Sequence, residues 1–172
     1  KNWWVLVDKD GFGDELADAL ERNGRIVTRL HAGSGFTREG PSSFIVSPDR
    51  QEDYSALIEE AGGPPDAVVH LWRLAGNVED GGGQDASGLL ALARAMHDHE
   101  EIKAPPVLVV SEGVHDVSGD EMLQPSQASL LGACAAAAKE SPKLSIRNLD
   151  VVAGANGRQR LVKQLLKETA NG

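Results

Sequence analysis

The stretch VDKDGFGDELADAL, residues 7–20, decides the fold of this chain. It follows an apolar run at residues 3–7 and carries Gly11 and Gly13 just before a segment with apolar residues at helical spacing. The order of strand, glycine turn and helix is the pattern in which a dinucleotide-binding protein holds the pyrophosphate of its cofactor. The question is whether this turn binds a nucleotide or keeps only the shape of such a site.

Two kinds of segment alternate along the chain beyond this turn. Near-continuous apolar runs predict buried strands, and apolar residues at i, i+3, i+4 spacing predict helices. The predicted strands are residues 3–8, 25–31, 66–74, 106–110 and 144–152, and the predicted helices are residues 14–22, 51–61, 89–96, 126–141 and 158–168. This alternation predicts an α/β fold in which a mostly parallel, doubly wound, Rossmann-like sheet is flanked by helices.

The segments between these elements are rich in small and polar residues. Residues 32–43 contain glycine and serine and predict a loop, and residues 43–46 predict a short strand at the edge of the sheet. Residues 75–88 predict a flexible connection, with a glycine run at residues 81–83. No repeat or linker divides the chain, so we expect residues 1–172 to form one domain, excised from a larger multidomain protein.

The composition excludes several classes of partner. The chain has 172 residues, 41% of them hydrophobic, and a formal net charge of −9, which repels nucleic acid and anionic membranes. No apolar run approaches the ~18 residues that a membrane-spanning helix needs. The one cysteine, Cys134, cannot form an internal disulfide, so we expect a cytoplasmic protein in which Cys134 is a small core residue.

The charges around the first turn oppose a nucleotide. The third small residue of the dinucleotide fingerprint falls on Leu16, with Ala17 beside it, where the helix needs a small residue to pack on the strand. Carboxylates in the turn and in the first turn of the helix favour the helix dipole themselves and repel a pyrophosphate. Lys9 does not offset these four acids, which are Asp8, Asp10, Asp14 and Glu15.

The end of the second predicted strand carries Arg29 where an NAD-binding protein offers an acidic residue. An arginine at this place can accept the 2′-phosphate of NADP, provided that the first turn holds the rest of the cofactor. Two interpretations follow: an NADP site at Gly11, Gly13 and Arg29, or a turn that has kept its backbone shape without the ligand. The carboxylates favour the second interpretation.

The catalytic residues of a short-chain reductase provide a further test. Such an enzyme has a serine at the end of a central strand, a tyrosine about thirteen residues later, and a lysine four residues beyond. Ser111 matches the serine, but Gln124 and Ala128 stand where the tyrosine and the lysine should be. The one tyrosine, Tyr54, lies in an earlier predicted helix, where we expect its ring to pack on the sheet.

Other reactive residues predict no site. His97 and His99 flank Asp98 in a predicted helix end, where i and i+2 side chains point apart, so a metal site is not expected. Ser111, His115 and Asp116 lack the G-x-S-x-G turn of a hydrolase nucleophile. The remaining polar and aromatic candidates are assigned to an acidic loop (Glu112, Asp120, Glu121), to the core (His70) and to core or interface packing (Trp3, Trp4, Trp72). We therefore predict no catalytic, cofactor-binding or metal-binding residues.

Several stretches together resemble one family. They are WWVLVDKDGFGDELADALERNG, SPDRQEDYSALIEEAG, PDAVVHLWRL and, as the longest, residues 105–151. Within the last stretch, a Pro-x-x-Ala-x-Leu-x-Gly helix, a Glu-x-Pro and a strand that ends in Asp correspond to Pro125, Ala128, Leu130, Gly132, Glu140, Pro142 and Asp150. The chain resembles the structural subdomain of a ketoreductase from a modular type I polyketide synthase, a pseudo-ketoreductase with a truncated short-chain-dehydrogenase fold.

The resemblance implies a function without a cofactor. Structural subdomains of this family bind no cofactor, whereas the catalytic half of the ketoreductase binds NADPH and reduces a β-keto group on an acyl carrier protein. It therefore implies a non-catalytic scaffold whose partner is that catalytic half, with dehydratase, methyltransferase or carrier domains as further partners. The alternatives are a divergent NADP-binding short-chain reductase and a docking module for neighbouring synthase domains.

Overall fold

The computed structural model describes residues 1–72, 84–99, 105–112, 128–151 and 162–167, without the side chains of residues 84–86, 112, 128 and 129. The strands are β1 (Asn2–Leu6), β2 (Ile26–Ala32), β3 (Thr37–Gly40), β4 (Ser43–Val46), β5 (Ala67–His70), β6 (Val107–Glu112) and β7 (Ile146–Val151). The helices are α1 (Phe12–Arg22), α2 (Gln51–Glu60), α3 (Gln84–Asp98) and α4 (Ala128–Glu140), and residues 162–167 form a further helical segment, α5. Within these residues, no helix is long and apolar enough to cross a membrane.

The strands form one sheet in the order β3-β4-β2-β1-β5-β6-β7. Every neighbouring pair is parallel except β3 and β4, which are antiparallel. Without β3, this is the strand order of a doubly wound dinucleotide-binding sheet, in which the order reverses between β1 and β5. The prediction of a mostly parallel, doubly wound α/β fold is confirmed.

The connection between β2 and β4 differs from the prediction. Residues 32–43 were expected to be a loop, but Thr37–Gly40 form β3. Because β3 pairs with the outer side of β4, the prediction that β4 is an edge strand is wrong. Residues 33–42, all of them described, therefore join two parallel strands through an antiparallel strand instead of the helix that such a crossover usually contains.

The core has one apolar layer on each face of the sheet. On one face, residues of α2, α3 and α4 pack against Trp4, Leu6, Val68 and Val109 of the central strands. On the opposite face, Phe12, Leu16 and Leu20 of α1, with Leu165 of α5, pack against residues of β1, β2 and β5. Alternate residues of the central strands thus enter different layers, which explains why these strands are apolar almost throughout.

Several element bounds shift from the prediction. Helix α1 begins at Phe12, two residues before the predicted start, because Gly11 adopts the left-handed conformation that starts the helix. Strand β5 is shorter than residues 66–74, and α3 is longer than residues 89–96. The glycine run at residues 81–83 lies outside the described residues.

The position of α1 on the sheet depends on the glycine at residue 13, which has no side chain. A Cβ atom at Gly13 would lie 2.8 Å from Cα of Val7, which is closer than real Cβ atoms approach backbone. Helix α1 and the end of β1 are therefore in backbone contact at this point. Gly13 performs the packing role that the dinucleotide fingerprint gives to its third glycine.

We predict that Gly13→Ala destabilises the protein by about 1–3 kcal/mol, because the added methyl group must push α1 away from β1. The matched control is Gly132→Ala in α4, where a Cβ meets no atom within 4 Å. This control should stabilise the protein by about 1 kcal/mol, the difference in helix propensity. Urea unfolding of both variants measures the two effects, and equal stability of the two variants would contradict the packing argument.

Candidate functional site

The buried Asp8 carboxylate caps the first turn from within. Asp8 is 5% exposed, and its Oδ1 accepts a hydrogen bond of 2.6 Å from the backbone N–H of Gly13 in the first turn of α1. Its Oδ2 accepts a second bond of 3.2 Å from the N–H of Asp10. A carboxylate of the chain thus occupies the place where a helix N-terminus binds the phosphate of a ligand.

Arg29 is held by the acidic residues of α1. Its guanidinium is 2.6 Å from Asp18 Oδ1, 2.9 Å from Glu21 Oε1 and 3.5 Å from Asp14 Oδ1. The hydrogen bond to Glu21 is the largest cause that raises the pKa of Arg29, and Asp18 adds to it. An arginine surrounded by three carboxylates does not offer its charge to a 2′-phosphate, so the geometry opposes the NADP interpretation.

The two glycines of the turn have structural roles. Gly11 has a φ of 80° and begins α1, and Gly13 permits the contact with Val7. Both residues are therefore required by the backbone alone. Taken with the Asp8 cap and the paired Arg29, the residues of this turn do not fit a dinucleotide.

Ser111 and Tyr54 lie in different elements, a strand and a helix. Ser111 is fully buried in β6, and its Oγ lies 3.0 Å from Asp150 Oδ1 and 3.2 Å from Asn148 Nδ2, both on β7. Tyr54 lies in α2 and donates a hydrogen bond of 3.2 Å to the carbonyl of Pro48. Tyr54 is buried in the core, as predicted, and Gln124 lies outside the described residues.

The partners of Ser111 on β7 were not predicted from the sequence, where Ser111 was weighed only as a reductase serine and, with His115 and Asp116, as a hydrolase nucleophile. His115, Asp116, Asp120 and Glu121 lie outside the described residues. Asn148 and Asp150 alternate on β7 and pair in register with Val109 and Ser111 of β6. The two polar residues at alternate positions, Asn148 and Asp150, lie on the same face of β7 and are the signal that could have indicated this cluster.

The structure describes three of the histidines that were considered in the sequence. His97 is exposed and His99 is half-buried at the end of α3, and Asp98 accepts a hydrogen bond of 2.5 Å from Gln51 Nε2. His70 is fully buried in β5. Among the described residues, no three histidine, cysteine or acidic residues are grouped as metal ligands would be.

The comparisons with known proteins identify the family. Residues 2–87 match the model of the family "Beta-ketoacyl synthase-like, N-terminal". The chain belongs to this family. No curated protein matches this beta-ketoacyl synthase-like chain.

Solved structures share the fold of this beta-ketoacyl synthase-like domain. A multidomain NRPS module with adenylation and ketoreductase domains, which selects keto acids, matches with a TM-score of 0.76 and 20% identity over 95% of this chain and 15% of that chain. An N-terminal ketoreductase from the macrolactin assembly line matches with a TM-score of 0.73 and 15% identity over 98% of this chain and 36% of that chain. A Serratia marcescens short-chain dehydrogenase/reductase variant matches with a TM-score of 0.62 and 14% identity over 97% of this chain and 88% of that chain.

These matches show the short-chain-dehydrogenase-like fold, and two of the matched structures are described as containing a ketoreductase. The chain spans about a seventh of the NRPS module and about a third of the macrolactin ketoreductase chain.

We predict that Asp8→Ala destabilises the domain by about 1–2 kcal/mol, because it leaves the buried N–H of Gly13 without its acceptor. Asp8→Asn should lose less, since the amide oxygen can still accept this bond. Glu15→Ala is the control, because it removes the same charge from the first turn of the helix at an exposed position. Thermal and urea unfolding measure the losses of stability. An equal loss in Asp8→Ala and Glu15→Ala would contradict the prediction, because the removed negative charge and not the hydrogen bond to Gly13 would then explain it.

We also predict that Cys134 reacts slowly with thiol reagents at neutral pH. Burial raises the pKa of the half-buried Cys134 thiol. The reactive thiolate is therefore scarce until the pH rises above the pKa of an exposed cysteine. The rate of reaction with a disulfide reagent, measured from pH 7 to 10 in the folded and the urea-unfolded chain, tests this. Equal rates in both states at pH 8 would contradict the prediction.

Proposed function

We propose that this domain is a non-catalytic scaffold that stabilises the catalytic half of a synthase ketoreductase. The observation that carries the proposal is the Asp8 carboxylate, which takes the Gly13 N–H at the place where a reductase of this fold would bind pyrophosphate. On this proposal the domain has retained the doubly wound fold, while its own carboxylate takes the position of the phosphate. The retained fold then serves as a surface on which a partner can pack.

The comparisons support an association with ketoreductases. Two of the structural neighbours are described as containing a ketoreductase, and this chain covers only a part of each. A separate unit of this fold within a longer ketoreductase region is what the scaffold proposal requires. On this proposal the reduction of a β-keto group by NADPH belongs to the catalytic half, and this domain contributes no reacting group and no cofactor site.

The expected contribution of the scaffold is buried surface. Domains within one chain share interfaces of roughly 600–1,500 Å², which are large enough to raise the stability of a partner that folds alone only marginally. The domain has the apolar layers that a stable unit of its own requires, with buried residues on both faces of the sheet. It can therefore act as a preformed surface for the catalytic half.

We predict that the domain does not bind NADPH at concentrations up to about 1 mM, which corresponds to a binding free energy weaker than about −4 kcal/mol. Nicotinamide fluorescence and calorimetry measure the titration, with an active short-chain dehydrogenase as the positive control. Addition of this domain to the catalytic ketoreductase half of the same synthase should raise the melting temperature of that half and leave its KM for NADPH unchanged.

Two outcomes would overturn the scaffold proposal. Micromolar binding of NADPH to the domain alone, abolished by Gly13→Asp or by Arg29→Met, would identify an NADP-binding reductase in its place. If the domain has no effect on the stability of the catalytic half, it is not a scaffold for that ketoreductase. Asp18→Asn is a matched control in the titration, because it removes one carboxylate from Arg29 and leaves the first turn intact.

A further inference from the structure

The side chain of Trp72 crosses the end of β1. Trp72 lies two residues beyond the end of β5, and its Nε1 donates a hydrogen bond of 3.3 Å to the carbonyl of Leu30 on β2. Strand β1 lies between β5 and β2 in the sheet, so the indole spans the carboxyl end of β1. The strand order reverses between β1 and β5, and the crevice there is where doubly wound sheets bind their ligands.

The indole is held on several sides. The ring of His70 meets it edge-on, with 5.3 Å between the ring centroids. On α3, a Cβ atom at Gly88 would lie 3.4 Å from Cζ3 of Trp72 and 3.1 Å from the carbonyl oxygen of Pro48. The helix is therefore in tight contact with the loop that precedes α2 and lies within van der Waals distance of the ring. Trp72 is half-buried and packs against the core beneath α2, α3 and α4.

We propose that Trp72 is an internal occupant of this crevice, a planar aromatic ring that fills the position of a ligand. The inference deepens the proposed function and rests on it, because it names the residue that closes the crevice of a domain without a cofactor. Asp8 and Trp72 then act at two places: the carboxylate at the N-terminus of α1, and the indole across the end of β1 toward β2.

A shaped site for an aromatic ring should remain when the indole is removed. Truncating a packed side chain leaves a cavity that binds aromatic molecules matching the deleted group. Because Trp72 is half-buried, this cavity is open to solvent on one side. Here the backbone carbonyl of Leu30, the ring of His70 and the surface of α3 at Gly88 belong to fixed elements and would line the vacated space. The class of ligand is a flat heteroaromatic ring with one hydrogen-bond donor, and the probe is 5-fluoroindole.

The test compares Trp72→Ala with Trp72→Phe in the full chain. Fluorine NMR should show that 5-fluoroindole binds Trp72→Ala with a dissociation constant of about 1 mM or tighter, at least about tenfold tighter than it binds the wild type or Trp72→Phe. The probe should also raise the melting temperature of Trp72→Ala alone. Trp72→Phe is the matched control, because it keeps an aromatic ring in the crevice while it loses the bond to Leu30 and part of the contact area of the indole.

The remaining outcomes each decide the proposal. Equal binding of 5-fluoroindole to the wild type and to Trp72→Ala overturns it, because the probe then binds elsewhere. If Trp72→Ala is unfolded without the probe, recovery of its native circular dichroism on addition of 5-fluoroindole supports the proposal, and absence of recovery overturns it. Failure of this test leaves the scaffold proposal standing, since the NADPH titration and the stabilisation of the catalytic half are measured on the wild-type chain.

Discussion

The backbone contact between α1 and the end of β1 is the constraint on which the rest of this structure depends. It exists because residue 13 is glycine, and it brings the N-terminus of α1 over the end of the strand. A helix N-terminus in that position presents N–H groups that need an acceptor. The Asp8 carboxylate accepts the hydrogen bond from Gly13, so the same short turn brings the helix against the strand and supplies an acceptor for one N–H of its first turn.

The acidic residues of α1 have their partner within the domain. Asp14, Asp18 and Glu21 recur at i, i+4 and i+7 and so share one side of the helix, where Arg29 of β2 meets them. The crossover from β1 through α1 to β2 brings this arginine under the helix. Arg29 offsets part of this negative charge, and in return its own guanidinium is held by the helix, so the arginine serves the packing of α1 on β2.

Much of the fold could be predicted from the sequence because its signals are local. The apolar runs of β1, β5 and β6 are continuous since both faces of the sheet are covered, and Asn23-Gly24 ends α1 where a helix end is expected. Strand β3 was missed because its sequence, Thr-Arg-Glu-Gly, carries no apolar pattern and its pairing with β4 is the only thing that makes it a strand. For the same reason the sequence could not show that β4 is an interior strand.

The candidate site could also be predicted only in part from the sequence. The sequence indicated that Gly11, Gly13 and Arg29 stand in nucleotide-like positions, and that the carboxylates oppose a nucleotide. It could not indicate which carboxylate is buried: Asp8 and Asp10 read alike in the turn, yet only Asp8 reaches the N–H of Gly13.

The role of Trp72 depends still more on three dimensions. Its contacts come from Leu30 and Gly88, residues 42 positions before it and 16 positions after it, which only the parallel crossovers bring together. A tryptophan after an apolar strand predicts packing, and the structure adds that this packing lies across the crevice of the sheet. Function in this fold resides in the residues at the carboxyl ends of the strands rather than in the fold itself. The scaffold proposal assigns the carboxyl ends of these strands to packing instead, through the Asp8 carboxylate and the Trp72 indole.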